Sequence, residues 1–228
     1  MQPLAGVRVL AVEQYGAGPF GTMYLANQGA EVIKIENPRD GGDMSRAVGP
    51  HFLGPDDSEF FHSFNANKRS VTLDLQSPEG QAVFHDLVRD ADAVSNNLRG
   101  DVPEKLGIDY ESLKAINPKI VCAHLTAYGR TGSRRTWPGF DYLMQAETGW
   151  FSLTGEPGTP PARFGLSVWV ADGATNDPRL DRSCLPDRRI GRQVREILNV
   201  RARGQPAAPA RSFSVLVSPK GAGQSCSR

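Results

Sequence analysis

A glycine-rich stretch near the start of the chain has the residue types of an anion-binding turn. The stretch, Gly-Ala-Gly-Pro-Phe-Gly at residues 16–21, follows an apolar run at residues 4–12 that is typical of a buried strand. A helix that begins in such a turn presents unpaired backbone N–H groups to an anion. Pro19 removes one of these donors, and Glu36 is the only acid placed to bind the ribose of a dinucleotide. The turn therefore predicts an anion contact and argues against a conventional NAD site.

The histidines and cysteines lack the spacing of a metal site or a catalytic triad. They are His51, His62, His85 and His124, and Cys122, Cys184 and Cys226. Scattered cysteines of this number are too few for a disulfide framework, so we expect free thiols in the cytoplasm and no bound metal. The first residues show no basic region leading into an apolar core, and apolar runs are short. Neither a secretory signal nor a membrane span is predicted.

Predicted strands and helices alternate along the first half of the chain. The predicted strands cover residues 4–12, 30–36, 70–75, 91–95 and 119–125, and the predicted helices cover residues 22–28, 78–88 and 110–116. Gly29 is a helix stop, and Ser77 followed by Pro78 is typical of a helix start. A strand, a glycine-rich turn, a helix and a second strand form a βαβ unit, which crosses over into a parallel sheet. The predicted fold is therefore α/β, a doubly wound and mostly parallel sheet.

Residues 169–228 differ in composition from residues 1–168. The first 168 residues carry 15 basic and 20 acidic side chains and the remainder carry 11 and 5, so the net charges are −5 and +6. The second segment is rich in Arg, Pro, Ser and Gly, which predicts an irregular tail with apolar clusters only at residues 194–200 and 213–217. Because aromatic residues are not interleaved with its arginines and the first segment is acidic, nucleic acid is not an expected partner.

A series of short sequence blocks runs through residues 2–168 in a fixed order. The blocks are Gln-Tyr-Gly-Ala-Gly-Pro at 14–19, Gly-Ala-Glu-Val-Ile-Lys-Ile-Glu at 29–36, Gly-Asp-Met-Ser-Arg at 42–46, Phe-Asn-Ala-Asn-Lys-Arg-Ser-Val-Thr-Leu-Asp at 64–74, Ser-Pro-Glu-Gly at 77–80, Asn-Asn-Leu-Arg-Gly at 96–100, Lys-Leu-Gly at 105–107, Pro-Gly-Phe-Asp-Tyr at 138–142, Thr-Gly-Glu-Pro at 154–157 and Pro-Pro-Ala-Arg-Phe-Gly at 160–165. In this order they closely resemble the class III CoA-transferases. That family includes formyl-CoA transferase, the carnitine-type CoA-transferases and α-methylacyl-CoA racemase.

The resemblance implies an activity and a first group of site residues. The implied reaction is transfer of coenzyme A between an acyl-CoA thioester and a free carboxylic acid. The implied enzyme is a homodimer without a tightly bound cofactor. In the family, the turn after the first strand lies along coenzyme A near the reacting thioester, and Gln14, Tyr15 and Ala17 occupy those places here.

A second group of residues is implied at the adenine and phosphate end of the coenzyme. Asn97 and Leu98, with Lys105 after them, stand where the family holds this end. Arg134 and Arg135 are further candidates for phosphate contact. Family members often have arginine at the position of Lys105, and lysine keeps the charge but loses the bidentate phosphate geometry.

The catalytic carboxylate that the resemblance implies is not at its expected position. Transferases of this family use an aspartate, shortly after a double proline, as the nucleophile that attacks the thioester. Counting from Pro161, that position holds Val170, and the nearest acid is Asp172. Either Asp172 serves after a two-residue insertion, or the chain after Val168 is translated from a different reading frame. We favour the second account, a truncated or frameshifted relative that cannot form the family's interlocked dimer, because the tail has the composition of a GC-rich gene read out of frame.

Other functions and simpler roles remain open. An α-methylacyl-CoA racemase would use a His/Asp acid–base pair, which cannot be assigned to His124 and Asp172. A non-catalytic fragment would bind coenzyme A or a partner protein without transferring a group. Simple structural roles are loop capping for Asn65, Asn67, Lys68 and Arg69, anchoring of a turn for Arg46, and solvated surface charge for Arg134 and Arg135.

Overall fold

The computed structural model describes residues 2–148, 150–154, 156, 158–161 and 213–216. The predicted nucleophile Asp172, the alternative position Val170 and the predicted segment boundary at residue 168 lie outside these residues. The apolar cluster predicted at residues 194–200 also lies outside them.

Within the described residues, six parallel strands form one sheet and two short strands form a separate antiparallel hairpin. The parallel strands are β1 (Arg8–Val12), β2 (Glu31–Glu36), β5 (Arg69–Thr72), β6 (Ala93–Asn96), β7 (Val121–Thr126) and β8 (Phe213–Leu216), and the hairpin strands are β3 (Phe52–Gly54) and β4 (Asp57–Ser58). Their order in the sheet is β5-β2-β1-β6-β7-β8, and every neighbouring pair is parallel. Strand β8 coincides with the apolar cluster predicted at residues 213–217.

Helices of the described part of the chain lie mainly between these strands. The α-helices are α1 (Ala17–Asn27), α2 (Glu59–Asn65), α3 (Pro78–Arg89), α4 (Val102–Lys105), α5 (Tyr110–Leu113) and α6 (Asp141–Glu147), and 3₁₀-helices cover Pro38–Asp40, Met44–Ala47 and Trp150–Leu153. Ser77 caps α3 as predicted, because its Oγ accepts a 3.0 Å hydrogen bond from the Gly80 N–H. None of the described helices is long and apolar enough to cross a membrane.

Alternate residues of the central strands pack on opposite faces of the sheet. Leu10 and Val94 belong to a core cluster with Phe84 of α3, and all three are fully buried. Val9 belongs to a second cluster on the other face, with Ala26 of α1. Burying a large apolar side chain stabilises the fold by roughly 1.5–3 kcal/mol. Helices thus cover both faces, and the predicted α/β fold with a mostly parallel sheet is confirmed.

The observed elements differ from the predicted ones mainly at their ends. Helix α1 begins at Ala17 rather than at residue 22 and includes Pro19, since the first turn of a helix needs no N–H from that residue. Strand β5 ends at Thr72 rather than at residue 75. Helices α2, α4 and α6 and the hairpin are absent from the predicted elements, because short segments show no clear apolar period.

Candidate functional site

The order of the parallel strands reverses between β1 and β6. From β1 the chain proceeds outward through β2 to β5, then returns to β6 beside β1 and continues outward to β7. Open α/β sheets bind ligands in the crevice at such a reversal, outside the carboxyl ends of the two strands, so the loops after β1 and β6 are the expected ligand site. Gln14 and Asn97 lie just beyond these ends, since Val12 of β1 pairs with Asn96 of β6.

The carboxamide of Asn97 pairs with the backbone of Gln14. The Gln14 N–H donates to Asn97 Oδ1 over 2.9 Å, and Asn97 Nδ2 donates to the Gln14 carbonyl oxygen over 2.8 Å. These bonds join residues 13–16, which we name the β1–α1 loop, to the loop after β6. Because its carboxamide is engaged in this way, the side chain of Asn97 positions Gln14.

Tyr15 turns the β1–α1 loop through a left-handed backbone conformation, with a φ of 69°. A non-glycine residue in this region stores strain of roughly 1–3 kcal/mol, so other contacts must impose it. The Tyr15 N–H donates to Asp43 Oδ1 over 2.9 Å. The Tyr15 ring lies 5.2 Å from that of Phe60, and the residue remains 42% exposed. The turn therefore leaves an aromatic side chain partly exposed beyond the end of β1.

A buried ion pair lies beneath this turn. Lys34 Nζ is 2.7 Å from Asp43 Oδ2, and the two side chains are 1% and 0% exposed. Lys34 Nζ also donates to the Glu13 carbonyl oxygen over 2.9 Å. Burial alone would raise the pKa of the Asp43 carboxyl, but the charge and hydrogen bond of Lys34 outweigh burial and hold that pKa below its ordinary value. Asp43 is therefore a carboxylate at neutral pH.

A second buried cation fixes the start of α1. Lys68 Nζ donates to Glu13 Oε1 over 2.9 Å and to the Pro19 carbonyl oxygen over 2.7 Å. It also donates to Asn65 Oδ1 over 3.1 Å, so it joins the end of α2 to the β1–α1 loop. Burial lowers the pKa of the Lys68 ammonium, and the charge of Glu13 opposes that effect. Lys68 therefore does more than cap a loop. The sequence feature that could have predicted this role is Glu13, because an acid directly after a buried strand needs a partner of opposite charge.

The first turn of α1 presents backbone N–H groups beside Gln14. Its N-cap residue, Gly16, has no side chain that accepts from them, and first-turn N–H groups have no acceptor within their own helix. A Cβ atom at Gly18 would lie 2.8 Å from Asn97 Cγ and 2.9 Å from Glu13 Cβ. Glycine at this position therefore allows the start of α1 to approach Asn97.

Lys105, predicted to contact phosphate, is held by Asp101. Lys105 Nζ lies 2.6 Å from Asp101 Oδ2, and Arg99 Nε lies 2.6 Å from Asp101 Oδ1. The hydrogen bonds from Arg99 and Lys105 hold the pKa of the Asp101 carboxyl well below its ordinary value. The single carboxylate of Asp101 thus forms ion pairs with two cations at the surface. Leu98, beside them, packs against the core.

Arg134 and Arg135 lie on a segment that contacts the loop after β6. A Cβ atom at Gly100 would stand 2.9 Å from the carbonyl oxygen of Arg135, so the two backbones are in close contact. Arg134 Nη1 pairs with Glu147 Oε2 at 3.0 Å, and its guanidinium lies 5.3 Å from the centre of the Tyr128 ring. Arg135 is exposed and forms no ion pair with another residue that the structure describes.

Glu36, the acid that a dinucleotide site would use, is fully engaged. Its carboxylate accepts from Arg46 Nε over 2.9 Å and from Ser70 Oγ over 2.6 Å. It also accepts from the Asp43 N–H over 2.9 Å. Burial opposes the charged form, but these bonds, led by that of Arg46, lower the pKa of Glu36 to about 2. Arg46 therefore anchors the turn after β2, and its guanidinium lies 3.7 Å from the centre of the Phe61 ring.

Cys122 and His124 are buried in β7. His124 Nδ1 lies 2.7 Å from Asn96 Nδ2, and burial lowers the pKa of the imidazole to about 4. Burial likewise raises the pKa of the Cys122 thiol to about 12, so that thiol is unreactive at neutral pH. Among the residues that the structure describes, no three His, Cys, Asp or Glu side chains are grouped to hold a metal ion.

Comparison with known protein families bears directly on this site. The family model described as "CoA-transferase family III" matches residues 4–176, which is more than half of the chain. The chain belongs to CoA-transferase family III. The matched range contains both groups of predicted ligand residues, and it also contains Asp172.

Two relatives show how much of a family III protein this chain spans. Succinate–glutarate CoA-transferase of Agrobacterium fabrum is 43% identical over 171 residues, which are 73% of this chain and 42% of that protein. Acetyl-CoA:oxalate CoA-transferase of Acetobacter aceti is 39% identical over 163 residues, which are 72% of this chain and 41% of that protein. The chain therefore spans less than half of the length of these relatives.

Solved structures of similar proteins have the same fold. A CAIB/BAIF family protein from Brucella suis is 38% identical with a TM-score of 0.67, over 75% of this chain and 45% of that chain. A hypothetical protein from Mycobacterium tuberculosis is 30% identical with a TM-score of 0.76, over 95% of this chain and 55% of that chain. The predicted fold class and the family resemblance are both confirmed.

Proposed function

We propose that this member of CoA-transferase family III binds an acyl-CoA thioester across the crevice between β1 and β6. The thioester end lies against Gln14, Tyr15 and Ala17, and the adenine and phosphate end follows the loop after β6. The observation that carries the proposal is the pair of hydrogen bonds between Asn97 and Gln14. These bonds join the two ends of the proposed site where the strand order reverses.

Positive charge at the proposed phosphate end supports this orientation. Lys105 and Arg99 share the single carboxylate of Asp101. Arg134 is already paired, whereas Arg135 is exposed and unpaired among the described residues. We therefore expect Arg135 to bind phosphate without losing an earlier partner. Leu98, half-buried beside these cations, offers an apolar contact to the adenine.

The proposed reaction is transfer of coenzyme A from the thioester to a carboxylic acid, with Asp172 as nucleophile. An Asp172 oxygen attacks the thioester carbonyl and the C–S bond breaks, which gives a mixed anhydride and the coenzyme thiolate. The thiolate then attacks the aspartyl carbonyl, which releases the donor acid and leaves an aspartyl–CoA thioester. The acceptor carboxylate repeats these steps in reverse and departs as the new acyl-CoA. The relatives named CoA-transferases, and the family match through residue 176, support this reaction.

The start of α1 is the proposed stabiliser of the tetrahedral stages. At each stage negative charge develops on the former carbonyl oxygen, and preorganised N–H donors stabilise it. The N–H groups of Ala17 and Gly18 have no acceptor within α1 and lie at its positive end. We therefore assign them as the donors to that oxygen.

Binding of coenzyme A without transfer is the second candidate. The observation that favours it is the displacement of Asp172 from the position that the family resemblance implies. The DNA separates the two accounts. An aspartate codon followed by Thr-Gly codons in the neighbouring frame after codon 168 would remove Asp172 from the mechanism and place the segment boundary there. A racemase gains no support from His124, because its imidazole is enclosed and held by Asn96.

A trapping experiment on the full chain tests transfer. Succinyl-CoA is added first, and hydroxylamine then converts an aspartyl–CoA thioester or anhydride into a hydroxamate, which peptide mass spectrometry locates. We expect the hydroxamate at Asp172, its loss in Asp172→Asn, and its retention in the control Asp177→Asn. A chain that binds coenzyme A but forms no hydroxamate would contradict the transferase and support binding alone.

The assembly and location of the chain are also proposals. The family resemblance implies a homodimer, and the scattered cysteines predict the cytoplasm. The reading-frame account predicts instead that the interlocked dimer is lost. Light scattering of the purified chain at several concentrations separates these outcomes. A dimeric mass supports the family assembly, and a monomeric mass contradicts it.

A further inference from the structure

Four consecutive backbone groups around Gln14 are each held by a side chain from another element. Asn97 takes the N–H and the carbonyl oxygen of Gln14 itself. Lys34 donates to the Glu13 carbonyl oxygen, and Asp43 accepts from the Tyr15 N–H. Asn97 follows β6 and Lys34 lies on β2, so the two strands that flank β1 both hold the loop.

Lys34 and Asp43 act as one oriented unit. Asp43 Oδ2 lies 2.7 Å from Lys34 Nζ, while Oδ1 accepts from the Tyr15 N–H over 2.9 Å and from the Ser45 N–H over 2.8 Å. The Asp43 N–H in turn donates to Glu36, which fixes the residue at its backbone. The carboxylate is thus held in a single orientation, with one oxygen toward the lysine and the other toward the loop.

The placement of this ion pair indicates that it orients the backbone of the β1–α1 loop. Two charges removed from water carry a desolvation penalty, and an apolar pair of similar volume often stabilises a fold as well or better. Here both charges point at backbone groups of the β1–α1 loop, at Glu13 on one side and Tyr15 on the other. The left-handed φ of Tyr15, which few side chains adopt unaided, is the geometry that they impose.

We propose that Lys34 and Asp43 are positioning residues for coenzyme A binding. They hold Tyr15 in its left-handed turn, and the turn directs the N–H groups at the start of α1 toward the ligand. This inference rests on the proposed function, because the ligand is the thioester assigned to the β1–α1 loop. Neither side chain contacts the ligand, since both are buried beneath the loop.

Two double variants separate positioning from general stabilisation. Lys34→Met with Asp43→Asn removes both charges and keeps an oxygen that accepts from the Tyr15 N–H. Lys34→Met with Asp43→Leu also removes both charges but loses that acceptor. We expect the Asn variant, which loses the Lys34 hydrogen bond to Glu13, to bind coenzyme A about tenfold more weakly than wild type. The Leu variant, which also loses the acceptor for the Tyr15 N–H, should bind about a hundredfold more weakly. Wild-type affinity in the folded Asn variant would overturn the role of Lys34. Equal affinities in two folded variants would overturn the proposal.

Amide exchange of Tyr15, measured by NMR without any ligand, tests whether Asp43 holds the Tyr15 N–H. We expect slow exchange of this exposed residue's N–H in wild type and in the Asn variant, and exchange at least tenfold faster in the Leu variant. Unprotected exchange in wild type would overturn the proposal even if neither variant folds. Wild-type protein that fails to bind coenzyme A while its Tyr15 N–H is protected would contradict the proposed function. It would leave intact the conclusion that Lys34 and Asp43 hold the β1–α1 loop.

Discussion

Asn97 pairs with the backbone of Gln14 as a neighbouring strand would, although 83 positions separate the two residues in the chain. The pairing lies just beyond Val12 and Asn96, the last paired residues of β1 and β6. It joins the loops after β1 and β6 through a side chain, and Gln14 and Tyr15 remain exposed.

Replacing Asn97 with alanine removes both hydrogen bonds to Gln14. We expect the free energy of unfolding to fall by about 1–3 kcal/mol and the affinity for coenzyme A to fall about tenfold, because the freed Gln14 backbone loses its fixed position. Urea unfolding and calorimetric titration measure the two effects. Asn27→Ala is the matched control, since the exposed Asn27 makes one hydrogen bond with Asn67 at the far end of α1. Unchanged affinity in Asn97→Ala would contradict the role of this pair.

Two glycines of α1 offer a matched test of close packing at the crevice. A Cβ atom at Gly18 meets Asn97 Cγ at 2.8 Å, whereas a Cβ atom at Gly21 meets nothing within 4 Å. We expect Gly18→Ala to displace Asn97 and destabilise the fold by about 1–3 kcal/mol. Gly21→Ala should instead stabilise it by roughly 0.5–1 kcal/mol, because alanine favours a helix interior. Thermal unfolding distinguishes them, and equal melting temperatures would contradict the packing described.

The sequence identifies the fold because its strongest signals are local. An apolar run followed by glycines marks β1 and its turn, and Ser77 with Pro78 marks the start of α3. The start of α1 is misplaced, since Pro19 suggests a break where the first helical turn in fact tolerates proline. These signals predict an anion contact at the end of β1, and the family resemblance adds the predicted contacts after β6.

The residues that hold the candidate site in place cannot be predicted from local sequence patterns. Lys34 stands within the run of β2, where its type gives no sign that it is buried, because its partners Asp43 and Glu13 come from other elements. Asn97 is selected as a ligand contact, and only the structure assigns its carboxamide to Gln14. Such roles depend on tertiary contacts between distant segments, which periodicity does not encode.

Acid should destabilise the fold through His124. Burial lowers its pKa from 6.5 to about 4, so the unfolded chain binds a proton at this residue before the folded chain does. The contribution of neutral His124 to stability is present above pH 6.5 and is lost as pH falls toward 4, by up to about 3 kcal/mol. His124→Asn keeps an acceptor for Asn96 but does not titrate. We expect a flatter pH dependence of urea unfolding in this variant over that range, and identical slopes would contradict the assignment.

Cys122 should resist thiol reagents in the folded protein. It is fully buried and its thiol pKa is raised to about 12, so almost no thiolate exists at pH 8. We expect a maleimide to leave Cys122 unmodified in native buffer and to modify it once urea is present, with peptide mass spectrometry as the readout. Modification of Cys122 in native buffer would show that β7 is more open than described.

Calorimetric titration of the full chain with coenzyme A tests the central claim most directly. The account predicts one binding site per chain with a dissociation constant of about 0.1 mM or tighter. It also predicts weaker binding in Arg135→Ala, which removes the unpaired cation at the proposed phosphate end. Absence of binding by a folded chain at coenzyme A concentrations of about 1 mM would contradict the assignment of the crevice between β1 and β6 as the coenzyme site.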